Sequence, residues 1–267
     1  MALATSNPGA FLSRVGMSPN NLASQRTRLG LHEEALEAAV EAVSLLRTCA
    51  AANPSAFRSL LANSLDTLGE VQSDLAQGPA AVATLFEAVA IRRELAAALP
   101  SAFEPALAKT LSQLGAAGCA AGSAADSVNT LKEAVTIQRR LATESETSFL
   151  PDLATSLDNL GVSHLASGSP GDALAAATEA VAFHRQLAIG RPESFRSDLA
   201  KSLYDLATIH SAGNRHDQAL AAARESADIY AALAGRFPRA FSKQLRNARD
   251  TTRTALQRLG LPVGDLE

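Results

Sequence analysis

The chain has 267 residues, 47% of them hydrophobic but only 4% aromatic, with no Trp and a formal net charge of −3. Apolar content suffices for one large domain or two ordinary ones, and because alanine supplies much of it, the core has to come from helices that approach closely. Near-neutral charge argues against a nucleic-acid-binding protein as a whole, and two cysteines, Cys49 and Cys119, fit neither a metal spacing nor a disulfide framework and suit a reducing compartment.

The first stretch, MALATSNPGAFLSRVGMS, has no continuous apolar segment and so does not read as a secretory signal. Arg14, Arg26 and Arg28 precede the first acid, Glu33, a composition shared with mitochondrial transit peptides. Pro8, Gly9 and Pro19 would interrupt the amphipathic helix such a peptide needs, so residues 1–19 are expected to form a frayed or degenerate end. No run of about 18 apolar residues occurs, which leaves no membrane span and a cytoplasmic setting as the expectation.

Residues 20–240 read as a repeat array. The segments AFRSLLANSLDTLG, AFEPALAKTLSQLG, SFLPDLATSLDNLG and SFRSDLAKSLYDLA follow one another at intervals of 46. Phe11, Phe57, Phe103, Phe149, Phe195 and Phe241 keep that spacing, as do Glu41, Glu87, Glu133, Glu179 and Glu225, and Arg47, Arg93, Arg139 and Arg185. Pro54, Pro100, Pro192 and Pro238 share a fourth register, in which Glu146 is the exception. Phe57, Leu60, Leu61, Leu65, Leu68 and Leu75 recur at three- and four-residue steps, the stripe of an amphipathic helix that the Phe ladder would anchor in a shared core. Proline three residues before Phe57, Phe103, Phe195 and Phe241, and Pro105 or Pro151 after Phe103 or Phe149, signal the helix start; Gly78, Gly122, Gly168 and Gly213 signal its stop. A second helix near 79–99 carries its own stripe through Val82, Leu85, Val89 and Leu95. Neither helix can bury its stripe alone, so consecutive pairs must stack.

This pattern resembles the long-repeat branch of the tetratricopeptide repeat family, similar to kinesin-light-chain-type repeats. The family's Trp position is Leu65, Leu111, Leu157 and Leu203; its Leu-Gly step is Leu68-Gly69, Leu114-Gly115 and Leu160-Gly161, becoming Leu206-Ala207. Its small residues are Ala35, Ala81, Ser127, Ala173 and Ala219, and seven later Ala42, Ala88, Ala134, Ala180 and Ser226. The closing proline of the 34-residue unit is absent, and twelve extra residues lengthen both helices. The resemblance implies an all-α, right-handed α-solenoid of about five 46-residue helix-turn-helix repeats, ended by a capping helix and tail at 241–267. It also implies a protein-binding scaffold rather than an enzyme. The alternative is a sensor or regulatory array that works beside a STAND-type NTPase or CHAT-type protease partner.

In that geometry the first helices line the concave face, which would bind a peptide or protein through three rows: Asn63, Lys109, Thr155 and Lys201; Asp66, Ser112, Asp158 and Tyr204; Thr67, Gln113, Asn159 and Asp205. The paired Lys/Asn arrangement that clamps a chaperone C-terminus in some relatives is not reproduced. His164 and His210, one period apart where the family has Tyr, lack His-x3-His or carboxylate spacing and read as packed or hydrogen-bonded core histidines; His32, His184 and His216 fall at unrelated positions. GAAGCAAGSAADS follows a helix and lacks Lys-Ser/Thr, so it does not read as a phosphate loop. Cys119 has no basic neighbour, and Gly161 to His164 lack the strand and closing glycine of a nucleophile elbow. No catalytic, metal or cofactor constellation is expected. From Arg236 to Arg258 there are seven basic residues and one acid, Asp250. Arg246, Arg249 and Arg253 stand where the preceding repeat has Ala200, Leu203 and Ala207, which reads as a solvated cap, or else as a docking helix for an acidic partner or membrane surface.

Overall fold

The computed structural model describes residues 19–27 and 29–263. Phe11 and all but the last residue of the expected frayed segment lie outside them; Pro19 is helical, so the described part of the first helix runs on from it. Among the described residues there are eleven helices and no strand. They are α1 (19–27), α2 (His32–Ala52), α3 (Pro54–Asp74), α4 (Gly78–Ala98), α5 (Pro100–Ala120), α6 (Ala124–Glu144), α7 (Glu146–Ala166), α8 (Pro170–Gly190), α9 (Pro192–Ala212), α10 (His216–Arg236) and α11 (Pro238–Arg258). The all-α solenoid of 46-residue helix pairs expected from the sequence is the observed architecture. The terminal helix starts at Pro238, three residues ahead of the expected boundary.

Two connections alternate. A second helix passes to the next first helix through one extended residue, namely Asn53, Leu99, Ser145, Arg191 or Phe237, with φ between −135° and −153°. The register prolines explain it, because a residue before proline is driven out of the helical region. Ser145 keeps the same geometry ahead of Glu146, so the neighbouring repeats carry that turn without the proline. Within a pair the turn depends on one left-handed residue, Gly30, Ala76, Gly122, Gly168 or Asn214, all with positive φ, and Gly260 takes the same conformation after α11. The residue after each donates its N–H to a carbonyl five back, as in Gln77 to Gln72 and Ser169 to His164, both 2.8 Å, the bond of a Schellman cap. Two expected stop glycines therefore have other places: Gly78 opens α4, and Gly213 has φ −88° while Asn214 turns the chain. Pro105 and Pro151 lie at the sixth residue of α5 and α7, past the first turn, and are not start signals.

The chain divides into two compact units, Met1–Ile137 and Gln138–Glu267, and α6 supplies residues to both. In the first, α2, α3, α4 and α5 pack in sequence and α3 also touches α5. In the second, α7 to α11 pack in sequence, with α7 against α9 and α9 against α11. The core runs through the family's Trp register, Leu65, Leu111, Leu157 and Leu203, each at most 2% exposed. The small-residue registers at 35 and 42 are buried in every repeat, letting helices cross closely. At Gly115 an added Cβ would lie 2.4 Å from Leu131 Cγ, so this crossing has no room for a side chain. The Phe ladder contributes less than expected: Phe57 is buried, but Phe103, Phe149, Phe195 and Phe241 are half-buried at the helix starts.

The Arg and Glu ladders prove to be one feature. Arg47 pairs with Glu87, Arg93 with Glu133 at 2.7 Å, Arg139 with Glu179 and Arg185 with Glu225, each linking a second helix to the next. These pairs are exposed, so each contributes only about 0–1 kcal/mol; their regularity marks register more than stability.

Candidate functional site

The twelve residues of the expected binding rows lie on α3, α5, α7 and α9, but the rows differ in exposure. Asn63, Lys109, Thr155 and Lys201 face solvent, and Thr67, Gln113, Asn159 and Asp205 are half-buried. The middle row turns inward: Asp66 and Tyr204 are half-buried, and Ser112 and Asp158 are buried. Asp158 is committed on both oxygens. His184 Nε2 lies 3.0 Å from Oδ2, and Ser202 Oγ donates to Oδ1 at 2.6 Å. Asp66 has the equivalent arrangement two periods earlier, accepting from Thr110 Oγ1 at 2.8 Å and from the Arg92 guanidinium, which also donates to Asn63 Oδ1 at 2.9 Å. Burial raises the Asp66 carboxyl above its ordinary range, against the pull of Arg92 and Thr110. One layout thus occurs twice: a first-helix carboxylate, a base on the second helix of its pair, and a hydroxyl on the next first helix. These two carboxylates hold helices together instead of standing open to a ligand.

Arg92 and His184 were not among the expected site residues, although the period contains the signal. Leu46, Arg92, Gln138, His184 and Tyr230 occupy one register, buried in every case, where polar groups replace the Leu of α2. Of the two histidines one period apart, His164 is buried, with Nδ1 3.9 Å from Asp172 Oδ2. His210 is half-buried and accepts on Nδ1 from Arg215 Nε at 3.3 Å; burial and that guanidinium lower its pKa. Among the described residues no cluster of three or more His, Cys, Asp or Glu is placed to hold a metal.

Each unit has hollows on its first-helix face. In the first, about 420 Å³ opens between α3 and α5, bordered by Glu70, Asp74, Gln113 and a run of alanines. In the second, about 420 Å³ lies between α9 and α11, bordered by Asp198, Lys201, Tyr204, Asp205, Tyr230 and Phe241. It shares Tyr204 and Asn247 with an adjoining hollow of about 520 Å³. Lys201 Nζ donates to Asp205 Oδ2 at 2.8 Å and keeps 55% of its side chain exposed. Burial raises the carboxyls of Asp205 and Asp198; for Lys201 burial acts downward, but Asp205 and Asp158 outweigh it and the ammonium is held above its ordinary value. Burial pushes the Tyr230 phenol up to about 12.

Paired helices in a fixed register, crossing at small residues, define an α-solenoid of helical-pair repeats. Residues 153–188 match the tetratricopeptide repeat family, and the fold is that of tetratricopeptide-like repeats, including the kinesin-light-chain-like kind. Similar solved structures include BtubC (BKLC) from P. vanneervenii, 19% identical over 88% of this chain and 86% of that one, with a TM-score of 0.66. The nearly identical repeats of a putative Podospora anserina kinesin light chain are 22% identical over 83% and 97%, with a TM-score of 0.59. The Rap conjugation gene regulator of plasmid pLS20, solved in complex with the Phr* peptide, is 14% identical over 96% and 76%, with a TM-score of 0.53. At these identities the likeness is one of fold. No curated protein sequence matches the chain.

Proposed function

We propose that the chain is a non-enzymatic interaction scaffold that binds a peptide or protein partner along its first-helix face. The observation that carries this reading is the hollow between α9 and α11, bordered by Lys201, Tyr204 and Asp205 from all three candidate rows. Solenoids bind along extended faces of this kind because adjacent repeats leave a groove that their core positions do not fill. The Rap regulator, with a fold of this type, is named for a peptide complex. Among the described residues no helix is long and apolar enough to cross a membrane, and Cys49 and Cys119 are free thiols, as suits a reducing cytoplasm.

Lys109 lies on α5 in the first unit, and Asn159 and Lys201 lie on α7 and α9 in the second; Lys109 and Lys201 are exposed and Asn159 is half-buried. Changing all three to Ala is expected to abolish capture of partners in a pull-down read by mass spectrometry, with helical circular dichroism nearly unchanged and melting lowered only by the loss of the Lys201–Asp205 pair and the Asn159 contact. Recovery of the same partners by the triple variant would place binding on another surface.

A further inference from the structure

The hollow between α9 and α11 contains two groups that the fold leaves unused. Tyr230 is 5% exposed and sets its ring 6.2 Å from that of Phe241, yet its hydroxyl has no hydrogen-bond partner among the described residues. The ring is what is buried; Tyr230 borders the hollow, and its hydroxyl is open to a ligand there. Asp198, half-buried on α9, receives only a long 3.5 Å contact from the Ser197 hydroxyl and has no cation at ion-pair distance among the described residues. Lys201 does not fill that role, since its ammonium is committed to Asp205. Two carboxylates against one ammonium leave the hollow net negative, and the aromatic residues Tyr204, Tyr230 and Phe241 border it.

We propose that this hollow takes the arginine side chain of a bound peptide. The proposal rests on the first-helix face being the partner-binding surface, and it adds the chemistry of one contact. A guanidinium matches the unused groups together: its planar fork suits the Asp198 carboxylate, a further N–H suits the lone pair of the Tyr230 oxygen, and its flat face stacks on the rings. A lysine ammonium supplies the charge without the plane or the fork. A glutamate in the same place would meet Asp198 and Asp205 as like charges. Burial disfavours a lone charge on Asp198, which is the condition under which an incoming counter-charge gains most. The volume of about 420 Å³ is within the range of about 300–1,000 Å³ usual for ligand clefts.

The test uses the full chain and a fluorescein-labelled heptapeptide of alanine and serine around one central arginine, with lysine, glutamine and glutamate versions. Affinities are read by fluorescence anisotropy at low salt. The arginine peptide is expected to bind tightest, Asp198→Asn to weaken it by roughly tenfold, and Tyr230→Phe to weaken it severalfold. Neither variant should shift thermal melting appreciably, because neither group has a strong partner within the protein. Equal binding of the glutamine or glutamate peptide would overturn the arginine assignment while leaving a peptide-binding face. Failure of all four peptides to bind overturns it as well. The wider reading of the face is decided separately, by the triple variant at Lys109, Asn159 and Lys201.

Discussion

Asp158 and Thr155 stand one helical turn apart on α7 in adjacent candidate rows, yet they have different work. Thr155 is exposed, whereas Asp158 is 3% exposed and joins His184 to Ser202. Asp158→Ala leaves a buried imidazole nitrogen and a buried hydroxyl without their acceptor, at a cost of about 1–3 kcal/mol. Thr155→Ala should stay within about 0.5 kcal/mol. Urea melts of the two variants make the comparison; equal midpoints would mean that the buried network contributes nothing. At this scale the sequence was only partly legible. Helical periodicity placed Asp158 between core positions, but periodicity alone does not tell a groove residue from one that reaches sideways to the next helix. The distinguishing sign is the register shared by Arg92, Gln138, His184 and Tyr230, where charge and size vary at a buried position. His184, set beside the other histidines instead of beside Arg92, gives no such sign.

Helix type and length were far more legible than helix ends. Apolar stripes, register prolines and alternating small residues all specify two long helices per 46 residues, and consistency of that kind is what makes a fold readable. The ends depend on backbone conformation at single residues, which composition shows only when the residue is glycine. Gly122 and Gly168 fit the left-handed position at no steric cost, but Ala76 and Asn214 occupy it too. Asn tolerates that conformation through its short polar side chain, while Ala has no such compensation. Ala76, at φ 56°, is therefore a strained cap, and Ala76→Gly is expected to stabilise the chain by about 0.5–1 kcal/mol despite glycine's greater freedom when unfolded. A higher midpoint in chemical denaturation with unchanged helicity is the expected reading. A lower midpoint would show that the left-handed turn at residue 76 is not what the α3–α4 connection requires.

At the scale of the molecule, the same register that reveals the stacking also shows where it is interrupted. In α9, Ala200, Leu203 and Ala207 are at most 1% exposed, because helices pack on both sides of them. The equivalent positions of α11 hold Arg246, Arg249 and Arg253; Arg246 and Arg253 face solvent, and Arg249 is half-buried. The rest of α11 keeps the pattern, with Ala248, Thr252, Ala255 and Leu256 buried. One stripe therefore meets α9 and α10 while the stripe that would receive a further repeat is charged, and we propose that α11 caps the array. The charged stripe shows in residue identities in register alone, because cores repeat where packing repeats, whereas the identities of exposed face residues follow no packing rule and do not name a partner. Replacing Arg246, Arg249 and Arg253 by Ala, Leu and Ala gives α11 the apolar stripe that α9 carries. Such a patch drives self-association, so light scattering at moderate salt should show a larger mass for the variant than for the parent chain, with peptide or partner binding intact. If α11 is instead a docking helix for an acidic partner, the mass stays the same. The parent chain then binds heparin in a salt-sensitive manner that the variant loses.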